Sequence, residues 1–91
     1  MAKQLILTGK VQGVMCRNYC SKYGRLLGLR GSATNLASGD VKVLLDTDDD
    51  SLSIKFIEHI KINPKNYIFW GKIKEVTISD YSGNLKGEYE F

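Results

Sequence analysis

A two-layer α+β sandwich, one sheet with two helices on one of its faces, is what the sequence predicts. Three observations point there. Short runs alternate apolar and polar residues; two other stretches repeat their apolar residues at three and four; and the elements fall in the order β-α-β-β-α-β plus a short terminal edge strand. That order commonly folds as a split βαβ, ferredoxin-like sandwich. Ninety-one residues suit one domain, 1–91, and an apolar share of 43% with 25% charged residues argues against disorder and against a disulfide scaffold.

Lys3 to Gly9 reads as the first strand, with Leu5 and Leu7 on one face and Ile6 on the other. Lys10 to Val14 is a connection bracketed by Gly9 and Gly13. From Met15 to Leu27 the pattern is helical: Cys16, Tyr19, Cys20, Tyr23, Leu26 and Leu27 form one stripe for burial, and Gly28 suits a left-handed C-terminal cap. The two tyrosines are expected to fill the core with their hydroxyls at its rim. Gly31–Leu36 and Asp40–Asp46 make a strand pair around the turn Ala37-Ser38-Gly39. The acidic run from Asp46 to Asp50 then leads into a helix over Ser53–Ile62, with Leu52, Phe56 and Ile60 aligned and Pro64 stopping it. Gly71–Ser79 is a strand with Ile73, Val76 and Ile78 inward, and the three-residue step between the first two predicts a bulge. Ser82-Gly83-Asn84 is a turn and Glu88–Phe91 a last short strand. Asn66–Trp70, apolar and aromatic, either begins the fourth strand or caps the core.

No apolar run approaches the ~18–20 residues of a membrane span, and the first residues lack a signal peptide's apolar core. Cys16 and Cys20, four apart in a helix, close no useful loop. A monomeric cytoplasmic protein in a reducing compartment is the expectation. Charge is uneven. Residues 1–47 carry seven Lys or Arg against Asp40 and Asp46, a net +5, whereas residues 48–91 carry −2. A basic first half suits an anionic partner.

Chemistry concentrates in Gly9-Lys10-Val11-Gln12-Gly13-Val14-Met15-Cys16-Arg17. A glycine-bracketed turn from strand to helix can point several backbone N–H groups into one concavity at the positive end of a helix dipole. Arginine there adds a planar fork able to hold two phosphate oxygens. On spacing alone, a tight turn with Arg17 as a solvated charge is the simpler reading, since short glycine motifs recur widely.

This nonapeptide closely resembles the acylphosphatase signature, Gly-x-Val-Gln-Gly-Val-x-Phe-Arg. The resemblance continues through Gly28-Leu29-Arg30-Gly31-Ser32-Ala33-Thr34-Asn35 and the turn Ser38-Gly39-Asp40-Val41, and it is specific over roughly residues 5–45. It implies metal-independent hydrolysis of the carboxyl-phosphate bond of a small acyl phosphate, with no cofactor. Carried over, Arg17 binds the phosphoryl group, backbone N–H groups of Gly13, Val14, Met15, Cys16 and Arg17 complete the cradle, and Asn35 positions the attacking water. The alternative is a non-catalytic domain of the same kind that binds a phosphorylated ligand or partner. A buried Arg17 satisfied by an internal carboxylate would favour that alternative. Two positions depart from the family pattern, Cys16 for phenylalanine and Ser32 for an aromatic residue. If they neighbour each other under the loop, the site is looser, or Tyr19, Phe69 and Trp70 refill the gap.

Other signals carry less. Asp46-x-Asp48-x-Asp50 opens like a calcium loop but has Ser51 and Ile57 where glycine and glutamate belong. Cys16 and Cys20 have no histidine or carboxylate cluster to complete a metal site, and Cys16 has no base partner to make it a nucleophile, so packing is the better reading. His59 reads as a partly exposed surface residue. Nucleic acid is not expected as a partner: Gln4–Gly9 and the strand from Gly71, taken as the central strands, offer no aromatic for base stacking.

Overall fold

A computed structural model describes all residues from Met1 to Phe91. Five strands, β1 (Ala2–Lys10), β2 (Gly31–Asn35), β3 (Val41–Leu45), β4 (Lys72–Tyr81) and β5 (Tyr89–Glu90), form one antiparallel sheet in the order β4-β1-β3-β2-β5. Helices α1 (Cys16–Leu26) and α2 (Asp50–Ile62) cover one face, giving the ferredoxin-like α+β sandwich expected. No helix is long and apolar enough to cross a membrane.

The core is built as the alternation requires. Leu5 and Leu7 of β1, Ala33 of β2, and Val41, Val43 and Leu45 of β3 meet Cys16, Tyr19, Cys20 and Tyr23 of α1 and Phe56 and Ile60 of α2. Tyr19 donates to the Ile60 carbonyl at 2.7 Å and Tyr23 to Asn63 Oδ1 at 2.6 Å, so both hydroxyls are paired at the C-terminal end of α2. Burial pushes the Tyr19 hydroxyl well above its usual range and keeps it a donor. Gly28, at φ 72°, supplies the left-handed residue after α1. Asp49 caps α2 by accepting from the Leu52 N–H at 3.1 Å, and Asp50 meets Lys3 at 3.0 Å. The acidic run thus serves the helix start.

Several expectations change. The stripe of α1 turns toward Gly24 and leaves Leu26 44% exposed, because the Phe91 ring packs against Gly24. Ile78 lies in register with Leu5, yet β4 is an edge strand with one neighbour, and Ile78 remains 43% exposed. The bulge is present: Thr8 pairs with Glu75 but Gly9 with Ile73, stepping over Lys74. β4 is therefore not central; the interior of the sheet is β3 flanked by β1 and β2, and none of the three carries an aromatic. Asn66–Trp70 is irregular chain that caps the core. Phe69 stacks on Tyr19 at 4.5 Å and Tyr67 tilts against Tyr23 at 4.9 Å. Ser32 and Cys16 do not neighbour each other. Ala33 faces the helices, whereas Ser32 sits on the opposite face, where Gly87 packs over Ser32 and Thr34. Of the three aromatics expected to refill the gap, Tyr19 is in the core and Phe69 packs against it, whereas Trp70 is exposed.

Phe56 is fully buried between α2 and the sheet. Truncating it removes a ring and leaves a cavity, so Phe56→Ala is expected to lower unfolding free energy by about 3–5 kcal/mol in urea titration. A loss below about 1 kcal/mol would show that α2 contributes little to this core.

Candidate functional site

β1 ends at Lys10 and α1 begins at Cys16, and residues 11–15 carry the chain from one to the other. Gly13 at φ 73° and Met15 at φ 69° both adopt the left-handed region. For glycine this costs nothing; for methionine it is local strain placed at the start of a helix. Left-handed residues set among ordinary ones turn successive N–H groups to one side, the arrangement that makes an anion-binding nest. The first backbone bond of α1 runs from the Tyr19 N–H to the Met15 carbonyl at 2.9 Å, and no backbone N–H from Gly13 to Asn18 donates to another group of the chain. Four free donors are normal for any helix start. Here the loop lengthens the series.

Gln12 explains how this loop meets β2. Its Nε2 donates to the Leu36 carbonyl at 2.7 Å and to the Asp40 carbonyl at 2.9 Å, stitching the loop to the β2–β3 turn. Asn35, the last residue of β2, is thereby held beside the loop. Its side-chain Oδ1 is buried with no hydrogen-bond partner, a condition that costs stability unless something else donates to it.

Glu88 joins the two positions. One oxygen of its carboxylate accepts from Arg17 Nη1 at 3.2 Å and from the Asn35 backbone N–H at 2.8 Å, while Glu88's own N–H donates to Thr34 Oγ1 at 3.1 Å. Both charged side chains keep about two fifths or more of their surface in solvent, 41% for Arg17 and 48% for Glu88, so the pair itself adds little to stability. Tyr89 donates to Asn18 Oδ1 at 2.7 Å and fixes the neighbouring wall.

Gly13, Met15, Cys16, Arg17 and Asn35 all line one cavity of about 520 Å³, with Val11, Asn18, Trp70 and Tyr89. Val14 does not: its side chain is buried, and its carbonyl accepts from the Trp70 N–H at 3.2 Å. Gln12 and Glu88 were not legible as site residues, although the glutamine is part of the motif. Cys16 and Cys20 are both buried, their sulfurs 4.0 Å apart. The hydrogen bond with Cys16, together with burial, holds the Cys20 thiol well above its usual range. No further His, Cys, Asp or Glu gathers with them into a group able to hold a metal. His59 is partly exposed in α2, its Nδ1 2.8 Å from the Lys55 carbonyl oxygen.

A sheet with a free-amide loop, an arginine and a strand-end asparagine around one cavity is an α+β domain with the groups that an anion-binding site requires. Comparison with known proteins says which. The acylphosphatase family model matches residues 3–90, well past the stretch legible by motif. An acylphosphatase of Dehalococcoides mccartyi is 36% identical over 80 residues, covering 87% of this chain and 82% of that protein. One of Deinococcus radiodurans is 44% identical over 48 residues, covering 53% of this chain and 55% of that protein. The crystal structure of acylphosphatase from Bacillus subtilis shares the fold with a TM-score of 0.73 at 21% identity, covering 94% of this chain and 93% of that one. The chain belongs to the acylphosphatase family, a family of hydrolases.

Proposed function

We propose that this protein hydrolyses acyl phosphates to a carboxylate and inorganic phosphate without a metal, using Arg17, the loop amides and Asn35. The observation that carries the reading is that Arg17, Asn35 and residues of the loop whose backbone N–H groups are unpaired all line one cavity, with the Asn35 Oδ1 left without a partner in the chain.

Each part has a task. Arg17 and the N–H groups of residues 13–17 hold the phosphoryl oxygens, and their fixed dipoles meet the charge that spreads over those oxygens in a loose, in-line transition state. Asn35 Oδ1 accepts a hydrogen bond from a water and aims its lone pair at phosphorus. The new P–O bond forms from that water as the bond from phosphorus to the carboxylate oxygen breaks, and the electron pair leaves with the carboxylate. A carboxylic acid has a pKa of about 4, so its anion departs without a general acid. The water's proton ends on a phosphate oxygen, which spares the site a general base.

Glu88 bears on the non-catalytic alternative, in which Arg17 serves an internal carboxylate. Half of that condition is met. Glu88 does pair with Arg17, but the guanidinium is not buried, and only Nη1 is engaged. Its other N–H groups remain for a substrate.

Benzoyl phosphate hydrolysis, measured with excess chelator, tests the reading. Turnover that survives the chelator is expected. Turnover restored only by added divalent metal would overturn the mechanism, and binding of inorganic phosphate without any turnover would favour the binding domain.

A further inference from the structure

Resting on that reading, we propose that the exposed indole of Trp70, together with Met15, receives the acyl end of the substrate, so that the site prefers aromatic acyl phosphates to small ones. The cavity's 520 Å³ lies within the ~300–1,000 Å³ of small-molecule sites and leaves room beyond a phosphoryl group. Its polar groups are already committed to the phosphoryl end. Among its apolar residues, Val11 and Cys16 are buried, and Tyr89 is tied to Asn18. Trp70, 70% exposed, and Met15, 44% exposed, are the apolar surfaces left for a ligand.

Trp70 is exposed yet anchored. Its N–H donates to the Val14 carbonyl at 3.2 Å. The preceding Phe69 ring is stacked on Tyr19. The following Gly71 passes so close to the Lys10 carbonyl oxygen and the Val14 side chain that no Cβ fits there. Core packing uses Phe69 and Tyr67 from this segment but not the indole, so nothing in the fold accounts for a large aromatic held at this mouth. In an acyl phosphate the acyl carbon lies one oxygen from phosphorus, which brings any planar acyl group to the wall of the phosphoryl site. An indole face offers it stacking and water exclusion.

The test compares kcat/KM for benzoyl and acetyl phosphate in the native protein, Trp70→Ala and Trp70→Phe. Trp70→Ala is expected to lower the benzoyl-to-acetyl ratio roughly five- to twentyfold, with acetyl phosphate within about twofold of native and Trp70→Phe recovering most of the ratio. An unchanged ratio, or equal loss on both substrates, overturns the proposal. Binding gives a readout apart from turnover. Trp70 is the sole tryptophan, so its emission is followed during titration with phenylphosphonate and methylphosphonate. Tighter binding of the phenyl compound with a shift in emission supports the subsite even if neither acyl phosphate turns over, in which case the hydrolase reading alone fails. Equal affinities in a protein that does hydrolyse benzoyl phosphate remove the subsite and leave the hydrolase. Retained urea midpoints show that the variants fold.

Discussion

Replacing Arg17 with alanine is expected to lower kcat/KM for benzoyl phosphate by about 10³- to 10⁴-fold and to abolish inhibition by inorganic phosphate. Removing one preorganised donor from a developing oxyanion costs about 10²- to 10³-fold, and an arginine on a transferring phosphoryl group is worth about 10³- to 10⁵-fold. Arg17 combines both circumstances, because it is the one side-chain cation lining the cavity. The loop amides remain and retain part of the stabilisation, which sets the loss below the upper limit. On the proposed roles ground-state binding falls as well, since the guanidinium would hold the phosphoryl oxygens before and during reaction. The fold tolerates the change. Arg17 is partly exposed, and Glu88 keeps the Asn35 N–H as a donor. Isothermal titration with phosphate, beside the assay, checks the claim: phosphate affinity unaltered in Arg17→Ala would place the anion elsewhere.

What was legible before the structure follows from the range of the interactions involved. The alternation of Leu5 and Leu7, the tyrosine stripe and the glycine-bracketed loop are local patterns, each decided within one element, and each was readable. Glu88 is different. It meets Arg17 from 71 residues away, and its placement depends on β5 pairing with β2; a lone glutamate near a chain end carries no such signal. Gln12 likewise acts by reaching Leu36 and Asp40, across 24 and 28 residues. Leu26 misled because the helical period fixes a stripe but not its centre, and the centre moved toward Gly24 once Phe91 packed there. Asn66–Trp70 had no period to read, since its conformation is set by two rings packing on α1, one stacked and one tilted, and by one hydrogen bond to the loop. The same distant contacts that hid this segment are those that bring Trp70 to the cavity.

Replacing Asn35 with alanine is expected to separate the two jobs of the site: kcat falls by about 10²- to 10³-fold, while phosphate affinity stays within about threefold of native. The separation follows from what Asn35 touches. Its backbone N–H serves Glu88 at 2.8 Å, and alanine keeps that bond; its Oδ1 is bonded to nothing in the chain and faces burial alone. Such an acceptor is worth keeping only if a ligand or water donates to it. In the proposed mechanism a water held there is oriented toward phosphorus, and losing the orientation would slow attack without loosening the phosphoryl group assigned to Arg17 and the amides. Stability moves the other way. Removing a buried unsatisfied acceptor is expected to leave the protein as stable as before or more so, by up to about 1 kcal/mol. Asn35→Ala and Arg17→Ala therefore differ in kind, one a kcat defect with phosphate still bound, the other a defect in both. Single-turnover kinetics with phosphate titration reads the difference, and an equal loss of phosphate binding in the two variants would overturn the division of roles.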